Sequence, residues 1–120
     1  MNGGSKSLLR RWLTLWLEER RRARAASHAG PNAPGNLFGT DMVTFIQLGW
    51  QDMSSNELGF RLYRKVDTGA YGLYQTLGAN VTSYQDNSVV VMHQYFYYVT
   101  AYNGIGESTA SNEVNVVFGS

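Results

Sequence analysis

From Leu37 to the C-terminus, apolar and polar side chains alternate in short runs rich in β-branched and aromatic residues, and clusters of Gly, Asn, Asp and Ser separate the runs. Seven strand-sized pieces result: Asn36–Thr40, Val43–Gln51, Phe60–Lys65, Leu73–Leu77, Ser83–Tyr84, Gln94–Tyr102 and Asn112–Phe118. Nothing between them has helical period or length, so the pattern predicts an all-β sandwich or barrel. Because successive side chains on a strand point to opposite faces, the alternation also predicts the core. Ile46, Leu48 and Trp50 share one side of the second piece, Phe60 and Leu62 one side of the third, and Tyr95, Tyr97, Val99 and Ala101 one side of the sixth. Asp67-Thr68-Gly69 predicts a tight turn in which Gly69 takes the positive φ.

The first thirty residues follow another period. After Ser7, a plausible N-cap, Leu8, Leu9, Trp12, Leu13, Trp16 and Leu17 draw one apolar stripe along a helix, with Arg10, Arg11, Thr14 and Glu18 opposite. A helix over about Ser7–Ala26 is predicted, supported by the Glu18 to Arg22 spacing and an arginine-rich last turn. Ser27–Gly35, with two prolines, reads as a linker. The division expected is therefore an amphipathic basic helix and linker over residues 1–30 and a β-sandwich over 31–120. The apolar stretch Trp12–Leu17 is far shorter than the roughly twenty residues that cross a bilayer. It also lacks the apolar core of a secretory signal, and Glu18 and Glu19 count against an organelle presequence.

Charge changes at the same boundary. Residues 1–30 carry seven basic and two acidic side chains, and residues 31–120 three and seven, so the two parts stand at +5 and −4. The absence of cysteine excludes a disulfide framework and any thiolate metal site. The contact stripe Leu9, Trp12, Leu13, Trp16 and Leu17 fits packing on the sandwich or on another chain, or attachment to an anionic membrane surface with the tryptophans as anchors. No basic face in the body extends the arginine cluster, so a nucleic-acid partner is not expected.

Several runs in order resemble the fibronectin type III family over roughly Pro34–Val117. They are Ile46-Gln47-Leu48-Gly49-Trp50, Gly59-Phe60-Arg61-Leu62-Tyr63-Arg64, Val81-Thr82-Ser83-Tyr84-Gln85-Asp86, Tyr95-Phe96-Tyr97-Tyr98-Val99-Thr100-Ala101-Tyr102-Asn103, Gly106-Glu107-Ser108 and Ser111-Asn112-Glu113-Val114. The resemblance implies a seven-stranded, immunoglobulin-like β-sandwich. It casts Trp50 as the core tryptophan and Tyr95 as the tyrosine-corner residue, its hydroxyl bonded to backbone near Val89. The chain departs from the family's Leu-x-Pro-Gly-x-x-Tyr by reading Val89-Val90-Val91-Met92-His93-Gln94-Tyr95. The resemblance further implies a spacer or protein-binding module of a larger extracellular or cell-surface protein. An accessory module of a secreted glycosidase, with a polysaccharide partner, is the alternative. The loop Asn103–Ser108 carries no Arg-Gly-Asp, so integrin adhesion is not implied.

No catalytic or cofactor motif stands out. His28 and His93 sit apart, without an acidic or second histidine neighbour at ligand spacing, and read as solvated loop residues. No nucleophile elbow, phosphate loop or dinucleotide fingerprint is present. The acidic residues fall mostly in loops or at strand ends and read as a solvated rim. Neither an enzyme nor a cofactor is expected, and the sequence sets no oligomeric state. The candidate binding surface is the outward side of the sixth piece, Phe96, Tyr98, Thr100 and Tyr102, with Arg61 and Tyr63 of the third beside it.

Overall fold

A computed structural model of the chain describes residues 29–120. The helix expected over Ser7–Ala26 and its stripe lie outside the described residues. Seven strands follow one another: β1 (Gly35–Asp41), β2 (Ile46–Gln51), β3 (Gly59–Val66), β4 (Gly72–Gly78), β5 (Ser83–Asp86), β6 (Gln94–Tyr102) and β7 (Val114–Val117). They form one sheet in the order β1-β2-β5 and a second in the order β4-β3-β6-β7, every pairing antiparallel.

All nine side chains expected in the core are buried, joined by Leu37 and Phe118. Trp50 meets Phe60 edge to face at 5.9 Å. Alternation was sufficient here because each sheet turns one face inward, which fixes the strand register.

Strand ends differ from the expectation where turn chemistry intervenes. The second strand begins at Ile46, because Val43 takes φ 78° in a tight turn. That turn is closed by the Met42 N–H on the Phe45 carbonyl (2.8 Å) and the Val43 N–H on Asp41 Oδ1 (2.8 Å). After β3 the turn is present, with the Gly69 N–H on the Val66 carbonyl (3.0 Å), but Asp67, at φ 51°, takes the left-handed conformation and Gly69 does not. The reason is local. The Asp67 carboxylate accepts the Gln94 N–H (2.8 Å) and contacts His93 Nδ1 (2.6 Å), and its own N–H reaches the Gln94 carbonyl (2.8 Å). His93 thus has an acidic partner 26 residues away in sequence.

The tyrosine corner forms beside Val89, in the expected stretch. Tyr95 Oη accepts the Val90 N–H at 2.7 Å. Met92 stands at the glycine position of Leu-x-Pro-Gly-x-x-Tyr and adopts φ 71°, the left-handed conformation glycine would take. Its N–H is held by the Phe118 carbonyl at 2.7 Å, so tertiary contact imposes the turn without the usual residues.

Candidate binding surface

The registers decide which side chains share the outward face of the four-stranded sheet. Across β3 and β6, Gly59 lies opposite Tyr102, Arg61 opposite Thr100, Tyr63 opposite Tyr98 and Lys65 opposite Phe96. The expected residues Arg61, Tyr63, Phe96, Tyr98 and Tyr102 are therefore one continuous band, all half-buried. Lys65, Tyr71, Glu107 and Glu113 join it.

The band begins at Tyr102, whose ring lies over Gly59. A Cβ at position 59 would stand 2.9 Å from that ring and 2.2 Å from the Leu77 carbonyl oxygen, so only glycine fits. The Arg61 guanidinium sits 4.4 Å from the centre of the Tyr102 ring and donates to Glu107 Oε1 at 2.8 Å. Glu107 Oε2 accepts the Tyr63 hydroxyl (2.5 Å) and the Thr100 hydroxyl (2.7 Å). Burial raises the Glu107 carboxyl, yet the bonds from Tyr63, Thr100 and Arg61 outweigh it and hold Glu107 below the ordinary carboxylate range. Burial, then the bond to Glu107, pushes the Tyr63 hydroxyl up to about 12, so it stays a donor at neutral pH.

Tyr63 and Tyr98 stack with ring centres 4.7 Å apart and planes 17° from parallel. Neighbouring strands are about 4.8 Å apart, so the two rings stand side by side and face one another. Tyr71 packs on Tyr98 at 4.7 Å, tilted by 59°, and its hydroxyl donates to Glu113 Oε2 at 2.5 Å. The Lys65 ammonium lies 4.2 Å from the Phe96 ring centre and 5.4 Å from that of Tyr71. The outcome is a rigid strip of aromatic edges interleaved with charges. Glu107 is exposed, as expected of a rim carboxylate, but it is not free of the sheet. The tight β6–β7 turn, with the Asn103 N–H on the Gly106 carbonyl (3.0 Å) and a bridge between Tyr102 and Glu107, folds it back onto the sheet.

Comparison with solved structures places this architecture. The chain is similar to a Fn3-like protein from Clostridium thermocellum (22% identity, TM-score 0.61, covering 77% of this chain and 97% of that one). It is also similar to the chicken CNTN1 FN1-FN3 domains (16%, 0.64, 73% and 32%). The fold is that of a fibronectin type III domain. No protein-family model matches the sequence, and no curated protein sequence does. The chain is similar as well to part of a beta-1,2-glucanase from Parabacteroides distasonis (24%, 0.63, 75% and 14%). The chain spans about a third of the CNTN1 structure and a seventh of the glucanase, so in both the fold is one unit of a longer chain.

Within the fibronectin type III sandwich, Asp86 and Glu57 depart from the solvated-rim expectation and are buried. Asp86 at the end of β5 is fully buried. Its Oδ2 accepts Arg64 (2.9 Å) and the Tyr97 hydroxyl (2.6 Å), and its Oδ1 accepts the Tyr74 hydroxyl (2.8 Å) and the Ser88 N–H (3.0 Å). The Arg64 guanidinium lies 4.0 Å from the Tyr74 ring centre. Burial lowers the Arg64 pKa, but the bond to Asp86 and its charge hold it above the usual value, while burial pushes the Tyr97 hydroxyl well up. These partners come from β3, β4 and β6, so the cluster ties one sheet to the other. It is enclosed and serves the fold. Among the described residues there is no group of three His, Cys, Asp or Glu side chains that could hold a metal.

Proposed function

We propose that this domain is a non-catalytic interaction module of a larger extracellular or cell-surface protein and contacts a protein partner through Arg61, Tyr63, Phe96, Tyr98 and Tyr102. One observation carries the reading: the Tyr63–Tyr98 stack is held in place before any partner arrives, with both hydroxyl-bearing neighbours Tyr63 and Tyr71 tied to carboxylates. A strip already ordered loses little side-chain entropy on binding, which is what makes tyrosine-rich surfaces effective in protein contacts.

The carbohydrate reading has its own support, since one fold neighbour is a beta-1,2-glucanase. The geometry favours it less. A sugar ring stacks on an open aromatic face, and here the facing sides of Tyr63 and Tyr98 cover each other. A polysaccharide array probed with the full chain and with Y98S/Y102S separates the two. The protein reading expects no glycan signal that depends on these tyrosines; glycan binding abolished by Y98S/Y102S would overturn it in favour of the accessory module.

A further inference from the structure

We propose that Asn80 is an N-glycosylation site, and that its glycan shields the strand edges that meet at the β4–β5 connection. The inference rests on reading the domain as part of an extracellular or cell-surface protein, since this modification is made on chains that enter the secretory route.

Asn80-Val81-Thr82 is the one Asn-x-Ser/Thr triplet of the chain, and its middle residue is not proline. It lies where the chain crosses from β4, at the edge of one sheet, to β5, at the edge of the other. The Val81 N–H on the Gly78 carbonyl (3.4 Å) closes the turn, and the Trp50 N–H on the Thr82 carbonyl (2.9 Å) prolongs the β2–β5 ladder. Val81 packs against the core, while Asn80 and Thr82 on either side of it stay exposed. The fold thus uses the backbone of the triplet and its valine.

The two remaining side chains have no such use. Every other asparagine among the described residues is hydrogen-bonded through its side chain within the domain. Among those same residues nothing bonds the Asn80 amide or the Thr82 hydroxyl. The left-handed backbone of Asn80, at φ 63°, suits asparagine but would suit glycine as well, and it gives Thr82 no part to play. Glycosyl transfer uses both groups, because the transferase holds the hydroxyl two residues on while the amide reacts. Asn80 Nδ2 attacks the anomeric carbon of an oligosaccharide carried on a lipid diphosphate, and a carbon–nitrogen bond forms. The carbon–oxygen bond to the diphosphate breaks, the amide proton passes to a base of the transferase, and the lipid diphosphate leaves.

Placement supplies the consequence. Edge strands present unpaired backbone groups to other chains, and a hydrated glycan at the joint of β4 and β5 hinders approach to both. The row Tyr102, Gly59, Gly78 crosses the sheet and ends two residues before Asn80. Tyr98 lies four residues along β6 from that row, about 13 Å away, so the middle of the aromatic strip stays open to a partner.

The full chain, recovered separately from the medium, the cell surface and the cytosol of its source cells, is digested with peptide-N-glycosidase in water enriched in heavy oxygen. The predicted result is a heavy-labelled aspartate at position 80 in chain from the medium or surface, retained in T82S and lost in T82A and N80Q. T82A keeps Asn80 and removes a hydroxyl without a bond in the domain, so its loss of label does not come from misfolding. Chain in the medium or on the surface with Asn80 unmodified overturns the site and leaves the extracellular reading standing. Chain confined to the cytosol overturns both. Light scattering of the folded chain before and after glycan removal tests the shielding: association that begins only after removal supports it, and unchanged scattering overturns it.

Discussion

At the scale of single residues, the strongest constraint is a charge in the core. Asp86 has four donors and no solvent, and removing it leaves the largely buried Arg64 guanidinium with the Ser88 carbonyl (3.0 Å) in place of its ion pair. Breaking a buried pair by deleting one partner costs about 3–5 kcal/mol. D86A should lower stability by that order in urea unfolding, and Y97F by about 1.5–3 kcal/mol for the loss of one bond to a charged group. Strain offers the opposite sign. A left-handed conformation costs an L-residue about 1–2 kcal/mol, part of which glycine returns as unfolded-chain entropy. M92G should therefore stabilise the domain by about 0.5–1 kcal/mol, provided the turn keeps its bond to Phe118; an unchanged or lowered midpoint would mean the methionine side chain supports the loop. The sequence indicated the Tyr95 corner because its spacing is local. Asp86 was not legible, since its partners Arg64, Tyr74 and Tyr97 lie eleven to twenty-two residues away and only the folded registers bring them together.

At the scale of elements, each exposed strand edge has its own treatment. The side chain of Asn112 donates to the Leu37 carbonyl and accepts the Leu37 N–H, both at 2.9 Å, and so stands in for a neighbouring strand beside β1. Ser108 and Ser111 do the same for β6, their hydroxyls accepting the N–H groups of Ala101 and Val99 at 2.9 Å. On β4, Tyr74 is an extra residue between the Leu62–Gln75 and Tyr63–Leu73 pairs, and that bulge interrupts the edge. β5 and β7 are four residues each. These devices keep a β-rich chain from pairing edge to edge. N112A should cost about 1–3 kcal/mol through two lost bonds and should speed hydrogen exchange at Leu37 ahead of the core amides; unaltered exchange there would mean that another group covers the edge. Strand positions were legible from alternation because burial is one-sided. Their ends were not, because Asp41 and Asp67 bend the chain through side-chain bonds that no period encodes.

At the scale of the whole molecule, the acidic groups pull stability in two directions with pH. Hydrogen bonds hold the Glu107 carboxyl low against its burial, and the Gln94 N–H, then His93, hold Asp67 low. A depressed carboxylate contributes stability above its unfolded pKa and loses it as pH falls through the folded one, so both contributions disappear on acidification. Glu57 is the reverse: burial, then its bond with Asp52, raises it. The folded state then holds that proton more tightly than the unfolded chain, so the contribution is full below the unfolded pKa and is lost as pH rises through the folded one. E57Q should therefore raise the melting temperature at neutral pH, with the gain vanishing in acid; a gain constant with pH would contradict the raised pKa.

The candidate surface was half visible in advance. Arg61, Tyr63, Phe96, Tyr98 and Tyr102 follow from period two, and Lys65 follows from the same count two positions beyond Tyr63. Glu107 required the three-dimensional turn after β6. The account stands on that outward face being the contact surface of the domain. Photo-cross-linking from a benzophenone side chain placed in turn at Tyr98, at Phe96 and at Gln85 of the opposite sheet, in the full chain exposed to an extract of its source cells, measures this directly. One shared protein adduct at positions 98 and 96, and none at 85, is the predicted result. An adduct at 85 with none at 98 or 96 would contradict it.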